Sequence, residues 1–268
     1  MVKGKVAVVI PVYQNSFSAY EEVALKQCQK VLCVYPQIIV KPQSLDTTFI
    51  TSKYTIADTI AFDDAYFNDV QGYNRLMLAD HFYNAFACYD YILIYQLDAF
   101  VFKDELLYWC SQDIDYVGAP WLRIHGYPDW FKALKSHIQK LYHARFDVYK
   151  NGLPSDMQFI NKVGNGGFSL RRVSKFAELC VKLEPEIRNY IARNEHYFNE
   201  DVFWSIAVNR KSKQMNIPNF KTGLKFAFEH APQKAIKLND NKFPFGCHAW
   251  NKNIDFWRPV FKGFGYHI

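Results

Sequence analysis

Val6-Ala7-Val8-Val9-Ile10 is an unbroken apolar run that stops at Pro11, the pattern of a strand buried on both faces of a parallel sheet. A polar turn follows at Tyr13-Gln14-Asn15-Ser16. Tyr20–Val34 then has apolar positions at helical spacing, with Ser18 placed to cap its first turn. Pro36 stops that helix, Ile38-Ile39-Val40 predicts a second strand, and Ile56–Phe62 predicts a third. Gly72–Tyr89 has helical spacing through Leu76, Ala79, Phe82 and Phe86. Tyr91–Tyr95 (YILIY) is the clearest central strand, and it delivers Gln96-Leu97-Asp98 to its carboxyl end. Strand and helix alternate as in a doubly wound α/β sheet, mostly parallel and flanked by helices. Ligands of such sheets bind beyond the carboxyl ends of the strands.

The second half is less regular. Trp130–Tyr149 predicts a basic, aromatic helix, read as an insertion in a single domain. Phe159–Leu170 predicts two short strands around the hairpin dipeptide Asn165-Gly166. Val173–Leu183 and Asp201–Arg210 predict helices. The chain from Phe243, rich in aromatics, Pro and Gly, predicts a loop folded over the surface. Neither an internal repeat nor a low-complexity linker interrupts the pattern.

Composition sharpens this picture in three places. A length of 268 residues, half of them hydrophobic, fits one large α/β domain with a substantial core. Lys and Arg number 32 against 26 Asp and Glu. The excess of +6 suits a phosphorylated small molecule or an anionic membrane surface and is too diffuse for nucleic acid. The 6 cysteines (Cys28, Cys33, Cys88, Cys110, Cys180, Cys247) are scattered, which points to a reducing compartment and buried packing roles. Met1–Lys5 runs straight into the first strand without a secretory signal, and no apolar stretch is long enough to span a bilayer. The expectation is a cytoplasmic protein, placed at the inner face of a membrane if it touches one, with any membrane contact peripheral.

Five groups of residues have chemical potential. Asp98, just past a buried strand, sits where such sheets place ligands and would be offset in burial by a divalent cation; the alternative is an Asp that caps the next turn. In Asn199-Glu200-Asp201 at a helix start, one carboxylate can act as general base, although helix capping explains the same residues. His248, within Pro244–Trp250, is a metal ligand or a structural histidine, and an oxygen and imidazole donor set favours manganese over magnesium. Gly164-Asn165-Gly166-Gly167 is no phosphate loop; it serves a turn or lets backbone approach a sugar closely. Arg75, in Tyr73-Asn74-Arg75 at a helix start, faces an anion or lies on the surface.

In order, these segments resemble the glycosyltransferases of the GT-A fold. They are most similar to a little-characterised bacterial glycosyltransferase-like family classed as a domain of unknown function. The resemblance rests on Val6–Asn15 (VAVVIPVYQN), Gly72–Leu76 (GYNRL), Tyr89–Phe102 (YDYILIYQLDAFVF) and Asp115–Trp121 (DYVGAPW). It continues with Gly164–Arg171 (GNGGFSLR), Asn199–Trp204 (NEDVFW) and His248-Ala249-Trp250. It implies a nucleotide-sugar donor, a UDP-sugar above others, with the base held at Pro11, Val12, Tyr13 and Asn15. Asn74 and Arg75 would face the diphosphate, and Gly166 and Gly167 the donor sugar. Gln96-Leu97-Asp98 stands where the family has an Asp-x-Asp motif, so Asp98 alone keeps its charge, with His248 completing a Mn²⁺ or Mg²⁺ site. Asp201 would be the base of an inverting transfer and Glu200 its support.

Residues 1–121 would form the nucleotide-sugar half and 122–268 the acceptor half, the acceptor being a hydroxyl of a surface glycan or lipid-linked glycan. Lys132, Lys135, Lys140 and Arg145 are an ordinary solvated helix face or contact the acceptor or a membrane. The main rival is a nucleotide-sugar-binding or carbohydrate-binding module of the same fold without turnover, kept open by Gln96. A nucleotidyltransferase would show a Gly-rich loop after the first strand. A glycoside hydrolase needs opposed carboxylates, which Asp98 and Asp201 only imitate.

Overall fold

Alternate residues of the first strand, β1 (Val6–Pro11), feed two different cores. Val6, Val8 and Ile10 pack with Ala24, Leu25 and Cys28 of helix α1 (Ala19–Val31). Ala7 and Val9 pack on the other face with Leu76, Phe82, Phe86 and Phe176. A strand buried on both faces is what its continuous apolar run demands. The computed structural model describes residues 5–123 and 129–268, so Met1–Gly4 lie outside the described residues.

The main sheet has the order β3-β2-β1-β4-β9-β6, where β2 is Gln37–Pro42, β3 Asp58–Phe62 and β4 Tyr91–Tyr95. Strand β5 (Phe100–Val101) belongs to a smaller sheet; β6 is Tyr116–Val117, β7 and β8 are Tyr149–Lys150 and Leu153–Pro154, and β9 is Phe168–Arg172. Strands β1 to β4 run parallel, while β9 is antiparallel to both β4 and β6. The chain winds outward from β1 in both directions, and so the gap between the carboxyl ends of β1 and β4 is the topological switch point. Strands β10 (Ala227–Phe228) and β11 (Gly246–Cys247) complete the second sheet in the order β10-β11-β5. The remaining helices are α2 (Thr48–Thr51), α3 (Val70–Met77), α4 (Asp80–Asn84), α5 (Leu106–Cys110), α6 (Trp130–Arg145) and α7 (Val173–Lys182). They continue with α8 (Glu184–Ile191), α9 (Glu200–Ser205), α10 (Phe220–Phe226), α11 (Pro232–Leu238) and α12 (Ile254–Gly263).

The first half follows its pattern closely. Ser18 caps α1 through a reciprocal box in which the Glu21 side chain returns the bond. Four readings are corrected. The helix read over Gly72–Tyr89 is two, α3 and α4, broken at Leu78-Ala79. The Met77 carbonyl accepts from the Tyr83 hydroxyl at 2.8 Å and from Trp204 Nε1 at 3.3 Å, and these side chains replace the helical ladder there. Asn165-Gly166 does not turn a hairpin. Asn165 adopts φ +79° and its Oδ1 accepts from the Phe168 amide at 3.1 Å, which leaves β9 to pair with the distant β4 and β6. The helix read over Asp201–Arg210 ends at Ser205 and continues as a single tight turn, Ala207–Asn209.

The tail is the largest correction. From Phe243 onward it contributes β11 and α12, and Phe245, Trp250, Trp257 and Phe261 are fully buried. Phe261 stacks on Phe100 with centroids 4.0 Å apart, and Trp257 stacks on Phe102 at 5.5 Å. Aromatic density there marks a third core. The six cysteines are unpaired, but only Cys28, Cys180 and Cys247 are buried, while Cys33 and Cys88 are exposed. No helix among the described residues is long and apolar enough to cross a membrane.

Because Phe261 is in this core, Phe261→Ala is expected to lower the unfolding free energy by about 3–5 kcal/mol, as measured by chemical denaturation. A surface loop at this position would lose less than about 0.5 kcal/mol.

Candidate active site

Beyond the carboxyl ends of β1 and β4 lies a cleft of about 700 Å³, continuous through Tyr13, Gln14, Gln96 and Asp98 with a smaller one of about 340 Å³. Pro11, Val12, Phe17 and Trp250 line the smaller part. Gln96, Asp98, Gly166, Gly167, Glu200, Asp201 and His248 line the larger. Segments from distant parts of the chain therefore converge on one site, as the switch-point topology requires.

Asp98 is placed by the turn that ends β4. The Gln96 amide donates to the Gly167 carbonyl at 2.8 Å, tying that turn to the start of β9. From the tail, Trp250 Nε1 donates to the Ala99 carbonyl at 3.3 Å, and this seats His248 against the same turn. His248 Nε2 lies 3.0 Å from Asp98 Oδ1 and 3.2 Å from Gln96 Oε1. Its Nδ1 faces Asn165 Nδ2 at 2.8 Å and Glu229 Oε1 at 3.3 Å. With a proton on Nδ1 the ring donates to Glu229; without one it accepts from Asn165. Burial alone would lower the His248 pKa, but Asp98 and Glu229 outweigh it and push it up to about 10. Burial raises Asp98 and Glu229, and His248 reverses both, so each carboxyl is held below its ordinary value.

Such an arrangement calls for a cation between two carboxylates. The imidazolium supplies one, and a divalent ion on Nε2 would replace its proton while Nδ1–H stayed on Glu229, the carboxylate–histidine arrangement common at metal centres. Nε2 and Asp98 Oδ1, 3.0 Å apart, are near enough that both would be donors to one ion. Gln96 Oε1 adds a neutral oxygen on the same side. These residues fit a hard or borderline divalent ion, although no group of three His, Cys, Asp or Glu among the described residues surrounds one point.

Across the cleft, α9 presents Glu200 and Asp201. Asn74 Oδ1 accepts from the Glu200 amide at 3.0 Å, and Asn74 Nδ2 donates to Asn199 Oδ1 at 3.0 Å; α3 thus caps α9. Glu200 is buried and pairs with Arg171 Nη2 at 2.8 Å. Arg171, fully buried on β9, also donates to the Tyr83 hydroxyl at 2.9 Å and to Ser169 Oγ at 3.0 Å. Burial works against its charge, but the Glu200 carboxylate more than compensates and raises its pKa well above the ordinary value. Asp201 is half-buried, and its Oδ1 accepts from the Val202 amide at 2.8 Å. Burial, then the charges of Glu200 and Glu229, raise its pKa from 3.8 to about 7.

Gly166 and Gly167 make room for side chains. A Cβ at Gly166 would stand 2.0 Å from Glu200 Oε1, and one at Gly167 would stand 2.0 Å from His248 Nε2. Both glycines are therefore needed by the site's own residues before any ligand arrives. Arg75 does not line the cleft: it is exposed and lies in the last turn of α3, where a cation suits the dipole, and not in the first as read. Asn15 is likewise exposed and outside both parts of the cleft. Asn165 and Tyr73, named above only as neighbours of Gly166 and Arg75, belong to the site, as do Arg171, Glu229 and Lys252, which none of the five groups contains. An arginine inside the apolar strand Phe168–Arg172 was a legible signal for Arg171, while nothing local distinguishes Glu229.

Asp201 predicts a pH signature. A carboxyl raised in the folded state adds stability below its unfolded pKa of 3.8 and loses that contribution as the pH rises through about 7. Asp201→Asn should match the wild type near pH 4 and exceed it in stability above pH 7, as read from denaturation curves at both values.

No curated protein is similar enough in sequence to count as a relative. Among solved structures, the galactosyltransferase LgtC, determined in complex with donor and acceptor sugar analogues, superposes with a TM-score of 0.53. It is 14% identical, with 90% of this chain and 86% of that chain covered. The shared architecture is the GT-A-like α/β fold. A family model described as a protein of unknown function (DUF5672) matches residues 57–248, which include every cleft residue named above except those on and just after β1 and the tail residues beyond His248. The chain belongs to the DUF5672 family.

Proposed function

We propose that this protein is a nucleotide-sugar-dependent glycosyltransferase, metal-assisted and inverting, with a UDP-sugar as donor and a glycan or lipid-linked glycan as acceptor. The observation that carries the reading is the cleft itself: the Asp98–His248 pair on one wall and Asp201, with a pKa of about 7, on the other. The GT-A-like fold and the similarity to a galactosyltransferase support the same class.

Pro11, Val12 and Tyr13 offer the floor for the base, in the part of the cleft next to Asp98. Asp98, His248 and Gln96 would hold Mn²⁺, or Mg²⁺, which when bound would supply positive charge toward the departing diphosphate. Lys252, at the cleft edge, adds a cation from the chain itself. Asp201 Oδ2 is the oxygen left to take the acceptor proton, because Oδ1 is engaged by the Val202 amide. The acceptor oxygen forms its bond to the anomeric carbon as the bond to the diphosphate oxygen breaks, and the electron pair leaves with the diphosphate. Glu200, clamped by Arg171, positions Asp201 and keeps its pKa high. In this reading residues 1–121 hold most of the donor and 122–268 the acceptor, with His248 reaching back to the donor side. Unpaired cysteines fit a reducing, cytoplasmic setting. One feature favours a binding module without turnover, namely the neutral Gln96 beside the cation position.

The test is a screen of UDP-, GDP-, dTDP- and CMP-sugars for thermal stabilisation and hydrolysis, with Mn²⁺, Mg²⁺ or EDTA. One donor should stabilise the protein in the presence of metal, and Asp98→Ala should remove that effect. Asp201→Asn should keep donor binding and lose turnover by about 10²–10⁴-fold. Turnover should rise with pH and level off above about 7, where Asp201 is ionised. Binding without any hydrolysis or transfer would favour a nucleotide-sugar-binding module; no binding of any donor would refute the transferase and favour a carbohydrate-binding role.

A further inference from the structure

Helix α6 is packed inside out. Its protein-facing side carries small and polar residues: Ser136 and Ala144 are buried, and Ala133, Lys140 and His143 are partly so. Ala144 packs on Val202 and Ile206, and His143 Nδ1 lies 2.9 Å from Ser155 Oγ. The opposite side carries the large apolar residues. Trp130 and Phe131 are 65% exposed, Leu134 50%, Ile138 59%, Leu141 51%, Tyr142 56%, and Phe146 just beyond the helix 65%. At 3.6 residues per turn the positions from Trp130 to Tyr142 form one stripe opposite the packed face, ended in the last turn by the exposed Arg145. A globular helix ordinarily turns such a stripe inward, and so this one is built to be covered.

We infer that α6 lies in the surface of an anionic lipid bilayer, with its apolar stripe in the headgroup–acyl boundary. Charge complementarity selects that occupant. The 16 residues of α6 include Lys132, Lys135, Lys140 and Arg145, with no Asp or Glu among them. Lys135 borders the stripe, and Lys132, 3.7 Å from the N-cap carboxylate of Asp129, lies beyond it on the same side; both are exposed where anionic headgroups would meet them. Rings cap both ends: Trp130 stacks on Phe131 at 3.6 Å, and Tyr142 packs on Phe146 at 4.7 Å. A second copy of the chain is a poor fit, because a two-fold pairing would set these cations against their own images. The helix is too short and too basic to cross a bilayer, which leaves it lying along the surface. Its underside rests on α9 through Val202 and Ile206, and the docked helix would thus bring the Asp201 helix to the membrane. This inference stands on α6 alone and does not require the proposed transfer chemistry.

Co-sedimentation of the full chain with vesicles tests it directly. The protein should bind vesicles containing phosphatidylglycerol and bind neutral phosphatidylcholine vesicles far more weakly, with salt weakening the former. Leu134→Asp with Ile138→Asp, and separately Lys132→Glu with Lys135→Glu, should each reduce binding by about tenfold or more. These surface variants should keep the wild-type melting temperature. Failure of the wild type to bind either vesicle would overturn the inference, as would unchanged binding by both variants. A dimer in analytical ultracentrifugation that Leu134→Asp with Ile138→Asp converts to monomer would equally overturn it and assign the stripe to a second copy.

Discussion

The fully buried ion pair between Arg171 and Glu200 is the constraint around which the site is organised. Two charges removed from water are tolerated only when each is matched in sign and hydrogen-bonded, and losing one partner costs about 3–5 kcal/mol. Arg171 meets this demand with Glu200, Tyr83, Ser169 and the Gly166 carbonyl, which lies 3.4 Å away. Four elements are thereby fixed relative to one another: β9, α4, the glycine turn and the start of α9. The orientation of Asp201 follows from that fixing, because Glu200 can be held only if α9 begins where it does.

A second charge system faces the first across the cleft. There the cationic element is His248, and the carboxylates are Asp98 and Glu229. The two systems differ in accessibility. Arg171 is sealed within the core, whereas His248 lines the cleft. Asp201 has no cation of its own to offset its burial, and burial first, then the charges of Glu200 and Glu229, raises its pKa toward neutrality. A carboxyl at about 7 is poised to gain and lose a proton near neutral pH.

Much of this was legible in the residues. The runs at Val6–Ile10 and Tyr91–Tyr95 carry their burial in their composition, and with the Ser18 cap they settle the parallel sheet and place Asp98 at its edge. What escaped was long-range. Met77 breaks a helix because Tyr83 and Trp204 take its carbonyl, and Trp204 is 127 residues away. Asn165-Gly166 has the letters of a hairpin, but β9 found better partners in β4 and β6. The aromatic tail looks like a loop only while its partners Phe100 and Phe102 are unknown. Arg75 was misplaced by an error of helix register, in the last turn of α3 and not the first. Glu229 lies in a stretch with no periodicity, and its importance comes from the His248 imidazole that reaches it and from its charge near Asp201.

The proposed transfer requires the cleft to bind a divalent ion and a nucleoside diphosphate together through Asp98 and His248. Electron paramagnetic resonance of Mn²⁺ titrated with the protein and UDP measures this most directly, because bound ion loses the sharp signal of the free one. The free signal should be lost with wild-type protein and UDP, and should return in full in His248→Ala with the fold intact by circular dichroism. Equal Mn²⁺ retention by wild type and His248→Ala would contradict it.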